Sequence, residues 1–261
     1  MSMLAELYGK ISQSGNDLNG KLEDDLTGNF FGSLRYIPFG KALQKIFVQA
    51  VYPPNLAKRI ANISAGFWNQ YIKFWPNNPQ GEIDVLIDFP ETTIGVEVKY
   101  RSGLSSDDAV DNSTKSAEEE YELSIQQLAR EARIVASYGK NKGRILLLVA
   151  NSETCREIFE KTSKRDILRQ NVDLGYASWQ DILEGMKALE LTDPFHKLIV
   201  DDLIALLIKK QLERFQSFIL DEDFSINDSQ YYSLKVTMIN RLIFNSYDYA
   251  TVKGELFYDF R

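Results

Sequence analysis

The stretch GEIDVLIDFPETTIGVEVKY, residues 81–100, decides the fold. Its first half alternates apolar Ile83, Val85 and Ile87 with polar neighbours, and residues 93–101 alternate again. A period of two is the pattern of half-buried strands. The Pro-Glu-Thr connection between the two halves is so short that antiparallel pairing is the natural outcome. The stretch therefore predicts a β-hairpin.

The segments on either side of this hairpin predict further helices and strands. Apolar residues recur at helical spacing over residues 22–34 and 118–138, and the apolar run over residues 144–150 is typical of a buried strand. The other predicted elements are a strand over 67–75 and helices over 41–51, 152–170, 179–189 and 194–218. Residues 102–117 lack periodicity and predict a polar loop. The tail beyond residue 221 is ambiguous between helix and strand.

The order of these elements predicts an α/β core followed by a helical part. Helix, three meandering strands, helix, strand and helix follow one another along the chain. We therefore expect one domain over residues 1–190. A mainly helical C-terminal extension, over residues 191–261, is expected to pack on it.

The rarest residues exclude several kinds of chemistry. Cys155 is the only cysteine, which excludes an internal disulfide and a cysteine-based zinc site. His196 is the only histidine, and no nucleophile-elbow pattern accompanies it, which argues against Ser-His and Cys-His triads. Catalysis should then rest on carboxylates, lysine and a hard metal ion. Because the chain has no long apolar run and no signal-peptide pattern, we expect a cytoplasmic protein without membrane spans.

The distribution of charge is more informative than the net charge of −7. Residues 26–81 contain no Asp or Glu and are rich in aromatic residues. A basic, aromatic-rich segment suits a phosphate backbone with stacked bases, although the aromatic residues taken alone are better explained as core. The cations of this segment that we expect to contact nucleic acid are Lys41, Lys45, Lys58 and Arg59.

The candidate chemistry lies on the hairpin itself. Glu97 and Lys99 are two residues apart and therefore share a strand face, and Asp84 lies on the neighbouring strand. Burying such charges without a partner or a metal is costly. Asp84, Glu97 and the main-chain carbonyl of Val98 would make an oxygen cage suited to Mg²⁺ or Mn²⁺. Lys99 would hold the attacking water and help to deprotonate it. The alternative is a solvent-facing ladder of salt bridges.

This hairpin resembles the core of the PD-(D/E)XK nuclease superfamily. Asp84 stands at the position of the first acid, and Glu97-Val98-Lys99 matches the ExK motif. The predicted element order is similar to the restriction-endonuclease-like αβββαβ core, in which helices flank a mixed central sheet. The resemblance covers roughly residues 20 to 150.

The resemblance implies two supporting residues. Glu23, within LEDDLTGNFFGSLRYIPF, matches an extra metal-binding or metal-orienting acid of the family, although Glu23 and its neighbours Asp24 and Asp25 could equally supply charge to the start of a helix. Gln127, within IQQLAREARIVASY, matches a glutamine that the family presents from the helix after the ExK strand. Gln126 is the alternative to Gln127, since neighbouring residues point about 100° apart on a helix.

The resemblance also implies a function. It predicts a divalent-metal-dependent nuclease that hydrolyses phosphodiester bonds, with Mg²⁺ or Mn²⁺ as cofactor. An endonuclease acting on DNA is expected ahead of one acting on RNA. A homodimer, or a larger defence or repair assembly, is the expected setting by analogy with the family. The alternative is a non-catalytic module that binds nucleic acid or a protein partner and keeps the nuclease fold.

Overall fold

The chain divides into two compact units, Met1–Arg214 and Phe215–Arg261. The computed structural model describes residues 18–100, 117–138, 141–164, 168, 171–214, 251–252 and 255–256. In the first unit a six-stranded mixed sheet is flanked by helices, so the predicted α/β class is confirmed. Residues 102–116 of the predicted loop lie outside the described residues.

The elements follow one another in α/β order. The α-helices are α1 (Leu18–Leu34), α2 (Leu43–Ala50), α3 (Pro54–Ala61), α4 (Ala117–Tyr138), α5 (Ser152–Ser163), α6 (Trp179–Lys187) and α7 (Pro194–Lys209). The strands of the first unit are β1 (Val51–Tyr52), β2 (Ile72–Phe74), β3 (Val85–Asp88), β4 (Thr92–Val98), β5 (Gly143–Ala150) and β6 (Asp173–Ser178). A short 3-10 helix, Phe39–Lys41, precedes α2. In the second unit β7 (Thr251–Val252) and β8 (Glu255–Leu256) pair antiparallel. Within the described residues, no helix is both long and apolar enough to cross a membrane.

The sheet has the strand order β1-β6-β5-β4-β3-β2. Its centre is parallel, because β4 pairs with β5 and β5 with β6 in the same direction. The remaining pairs are antiparallel. The predicted hairpin is confirmed as β3 and β4, whose register aligns Val85 with Val96 and Ile87 with Ile94.

The two faces of the sheet carry separate cores. Because side chains alternate along a strand, β4 sends Ile94, Val96 and Val98 to one face and Gly95 and Glu97 to the other. The first face lies in the larger core, to which α1, α2, α3, α6 and α7 contribute buried residues. The second face lies in a smaller core formed with α4 and α5. Glu97 is therefore enclosed between the sheet and helices.

Several predicted boundaries are wrong, for local reasons. The strand expected over 67–75 is only β2, because the backbone N–H of Tyr71 bonds the carbonyl of Trp68 in a turn just before the strand. The helix expected over 152–170 ends at Ser163, and Asn171, with a φ of 52°, lies ahead of β6. The helix expected over 194–218 ends at Lys209. There Gln211 adopts a φ of 59° and the N–H of Leu212 bonds the carbonyl of Leu207, as in a Schellman ending.

The domain boundary expected near residue 190 falls inside the first unit. Helix α7 belongs to the larger core, where Val200, Leu203 and Leu207 are buried. Its apolar face therefore ties residues 194–209 to the sheet domain.

Candidate active site

Two carboxylates face each other at the open end of the β3–β4 hairpin. Asp84 precedes β3, and the pairing of Val85 with Val96 carries on to place Asp84 opposite Glu97. One oxygen of Asp84, Oδ2, accepts a hydrogen bond from the backbone N–H of Val98 at 2.8 Å. The structure thus brings together the two acids that the sequence pattern singled out.

Lys99 completes this cluster. Its Nζ donates to Oε1 of Glu97 at 2.5 Å, and Glu97 is only 3% exposed. The main chain of Lys99 is held on both sides, since its N–H bonds the carbonyl of Val149 at 2.7 Å and its carbonyl accepts from the Trp179 indole at 3.0 Å. A pair this deeply buried is not a solvent-facing ladder of salt bridges.

Helix α4 covers the cluster from the side of the smaller core. The side-chain amide of Gln127 donates to Oε1 of Glu97, the atom that Lys99 also contacts. The side chain of Gln126 lies outside the described residues. The close approach of α4 depends on Gly95, because a Cβ there would lie 2.6 Å from Ile83 Cδ1 and closer still to Val135 Cγ2.

Glu23 reaches the cluster from α1. Its Oε1 accepts from the backbone N–H of Tyr100 at 3.1 Å. The Tyr100 ring lies under the ammonium of Lys210, whose Nζ is 4.6 Å from the ring centroid, and its hydroxyl donates to the Lys210 carbonyl at 3.3 Å. Glu23 therefore fixes the main chain next to Lys99.

The crowding of acids shifts the pKa values of the cluster. Burial, together with the nearby Glu97 carboxylate, holds the pKa of Asp84 well above its ordinary value. Burial alone would lower the pKa of Lys99, but the carboxylates of Glu97, Glu23 and Asp84 outweigh it and raise that pKa. Lys99 is therefore an ammonium group at neutral pH, and it acts as a hydrogen-bond donor.

One member of the cluster was missed by the sequence analysis. Glu131, one helical turn after Gln127 on α4, is 0% exposed, and neither of its carboxylate oxygens meets a donor. Its side chain lies against Glu97, a contact that is a hydrogen bond only when one of the two acids carries a proton. Burial and the charge of Glu97 hold the pKa of Glu131 well above its ordinary value. The available signal was an acid in the apolar stripe formed by Leu128, Ala132 and Val135.

The donors of the cluster suit a hard divalent ion, although they are not arranged as a complete cage. Carboxylate and main-chain oxygens are the ligands that Mg²⁺ and Mn²⁺ prefer, and the unpartnered oxygens of Glu131 also fit such an ion. Among the described residues, no three Asp, Glu, His or Cys side chains converge as a metal site. Val98 buries its side chain in the opposite core and can offer only main-chain atoms.

The structure does not bring the four predicted nucleic-acid contacts to this cluster. Arg59 is ion-paired with Asp173, the first residue of β6, and lies against Gly143, the first residue of β5. Glu97 instead aligns with Leu148, near the far end of β5. The other three cations are exposed: Lys41 lies on the 3-10 helix, Lys45 on α2 and Lys58 on α3.

Comparison with protein-family models, with curated proteins and with solved structures finds no match to this chain.

Proposed function

We propose that this chain is a divalent-metal-dependent phosphodiesterase, an endonuclease acting on DNA, built on a restriction-endonuclease-like core. The observation that carries the proposal is the meeting of Asp84, Glu97 and Lys99 on one buried sheet face. Two carboxylates beside one ammonium offer a place for a hard metal ion and a donor for an anionic substrate.

The order of the elements around the cluster supports the same proposal. Helix α1 precedes the antiparallel strands β2, β3 and β4, and helix α4 then leads to β5, which runs parallel to β4. With α2, β1 and α3 inserted between α1 and β2, this order is compatible with the αβββαβ order that the resemblance implies. The cluster lies where β4 ends and beside α4, so the hairpin and the following helix both contribute to it.

In this proposal Asp84, Glu97 and the carbonyl of Val98 would hold Mg²⁺ or Mn²⁺, with Glu23 in support. When bound, the ion would polarise the scissile phosphate and acidify a water molecule. Lys99, as an ammonium, donates hydrogen bonds that orient the water or stabilise charge on the phosphate oxygens. The water oxygen would form a bond to phosphorus and release its proton to the surrounding solvent, while the bond to the leaving oxygen breaks and that oxygen takes up a proton from solvent.

The other described contacts keep these groups in position. Gln127 fixes the carboxylate of Glu97 through its amide. Trp179 and Glu23 hold the peptide group between Lys99 and Tyr100. The Trp179 indole donates to its carbonyl, and the Glu23 carboxylate accepts from its N–H. Pre-positioning of this kind is what electrostatic catalysis requires, since the donors then need no rearrangement during the reaction.

One observation favours a second candidate, a non-catalytic module that keeps this fold. Lys99 and Gln127 both donate to the same oxygen of Glu97, and the described acids do not converge as a metal site. Such a module would bind nucleic acid equally well with a chelator present.

The test is a cleavage assay on supercoiled plasmid, linear duplex, single-stranded DNA and RNA, each with Mg²⁺, with Mn²⁺ and with a chelator. We expect cleavage of DNA that requires the metal and disappears in an Asp84→Asn variant purified in parallel. Binding without cleavage under every condition would favour the non-catalytic module. Cleavage that survives in Asp84→Asn would come from another site or a contaminant.

A further inference from the structure

Glu131 is an acid that the fold keeps fully buried without a donor. Its exposure is 0%, and neither Oε1 nor Oε2 has a hydrogen-bond partner. Its neighbours along the same helix face, Leu128, Ala132 and Val135, are apolar and buried. A carboxylate left in such surroundings costs far more than an apolar side chain of the same size. The helix therefore carries a group whose burial is unfavourable unless a partner satisfies it.

The side chain of Glu131 is directed into the carboxylate cluster. It lies against Glu97, and its charge also acts on Asp84 and Lys99. Gln127, four residues earlier on the same helix, donates to Glu97. Helix α4 thus presents an amide and a carboxyl group to the same acid, because residues four apart lie on one helix face.

The charges of this cluster do not balance. Asp84, Glu97, Glu131 and Glu23 are four carboxyl groups around the single ammonium of Lys99. With all four ionised, the cluster would carry a net charge of −3, and a divalent cation would neutralise most of it. The unpartnered oxygens of Glu131 are ligands of the kind that Mg²⁺ and Mn²⁺ accept.

We propose that a divalent cation bound by Asp84 and Glu97 would draw Glu131, supplied from the helix and not from the hairpin, into its ligand set; without the ion, the described acids do not converge as a metal site. This inference rests on the proposed function. It assigns the buried acid of α4 to the metal centre. In a purely structural role, Glu131 would instead be a protonated acid that donates a hydrogen bond to Glu97.

The test is Mn²⁺ binding measured by titration calorimetry on the chelator-treated full chain and its Glu131→Gln variant. The amide keeps the shape of the side chain but removes a charged ligand, so we expect the Mn²⁺ affinity to fall by about tenfold or more. Glu131→Met is a second variant, apolar and of similar length, in case the amide disturbs folding. The matched control is Glu157→Gln on α5, which makes the same change at a partly buried acid that also has an unpartnered oxygen.

A second readout does not depend on catalysis. Metal-free Glu131→Gln should unfold at the wild-type temperature or above it, because one buried acid is removed, while added Mn²⁺ should raise its unfolding temperature less than in wild type. Wild-type Mn²⁺ affinity in both Glu131 variants, with affinity lost in Asp84→Asn, would overturn this inference alone. No Mn²⁺ binding by the wild type would overturn the proposed function together with it.

Discussion

Substituting Gly95 by Ala tests whether the packing of α4 on β4 sets up the candidate site. The added Cβ would lie 2.6 Å from Ile83 Cδ1, closer still to Val135 Cγ2, and 3.5 Å from Leu146 Cδ1. Ile83 and Val135 are buried branched side chains in the smaller core, so they cannot swing into solvent. Either they leave their preferred rotamers or α4 moves away from the sheet.

The expected loss of stability follows from this overpacking. Extra methyl groups in a well-packed core typically cost about 1–3 kcal/mol. In a domain of this size that corresponds to a fall in Tm of roughly 2–12 °C. Because α4 also carries Gln127 and Glu131, its displacement should move both side chains away from Glu97. Misplacing reacting groups by about 1 Å can cost on the order of 10²-fold in rate.

The assay combines urea unfolding with the rate of metal-dependent plasmid cleavage, measured well below the Tm. Gly175→Ala is the matched control, because its Cβ would lie 2.7 Å from both Leu56 Cδ1 and the Tyr52 carbonyl oxygen, in the larger core and not in the core that contains α4. We expect both variants to lose stability and only Gly95→Ala to lose most of its cleavage. A Gly95→Ala protein as stable as wild type would refute the packing argument, and equal losses of cleavage in both variants would refute the link to the site.

Three further predictions concern charge. Lys99→Ala and Lys99→Arg should each lose roughly 10²–10³-fold in turnover with much smaller changes in substrate affinity, because a planar guanidinium does not reproduce the position of a compact ammonium donor; near wild-type turnover in Lys99→Arg would mean that the residue only balances charge. Arg59→Gln should leave the salt dependence of DNA binding unchanged, because the Arg59 guanidinium is already paired with Asp173. A triple variant that neutralises Lys41, Lys45 and Lys58 should show a flatter salt dependence, because fewer counterions are released on binding. An unchanged slope in the triple variant would show that these lysines face away from the substrate. The metal-free protein should lose stability as pH rises from about 4, because the folded-state pKa values of Asp84 and Glu131 are raised and the folded state therefore holds protons that the unfolded chain releases. Glu131→Gln should flatten this loss in urea unfolding between pH 5 and 8, and an unaltered pH dependence would contradict the raised pKa of Glu131.

The hairpin could be predicted from the sequence because its information is local. Alternation with a period of two assigns Glu97 and Lys99 to one face whatever the rest of the chain does. The short connection then brings Asp84 opposite Glu97, one position beyond the pair of Val85 and Val96. Glu131 could not be found in this way, because its burial depends on the close packing of α4 on Gly95, which is a tertiary contact.

The missed elements have the same explanation. Strand β6 has the sequence DLGYAS, which lacks an apolar run and contains a glycine, and it is a strand because it pairs in parallel with β5. Strand β1 is two residues long and exists only through its pairing with β6. The distribution of charge along the sequence also did not predict where each cation lies in the fold. Nothing in the acid-free stretch, residues 26–81, indicated that Arg59 lies where β5 and β6 begin.

The most direct test of the central claim is the initial rate of plasmid cleavage in Mn²⁺ by wild type and Glu97→Gln. Glu97 is the acid that Lys99, Gln127 and Glu131 all contact, and the amide preserves its size while removing its charge. The proposed site predicts a fall on the order of 10²-fold or more, with Glu157→Gln unchanged. Wild-type rates in Glu97→Gln, or no cleavage by the wild-type chain at any metal concentration, would contradict it.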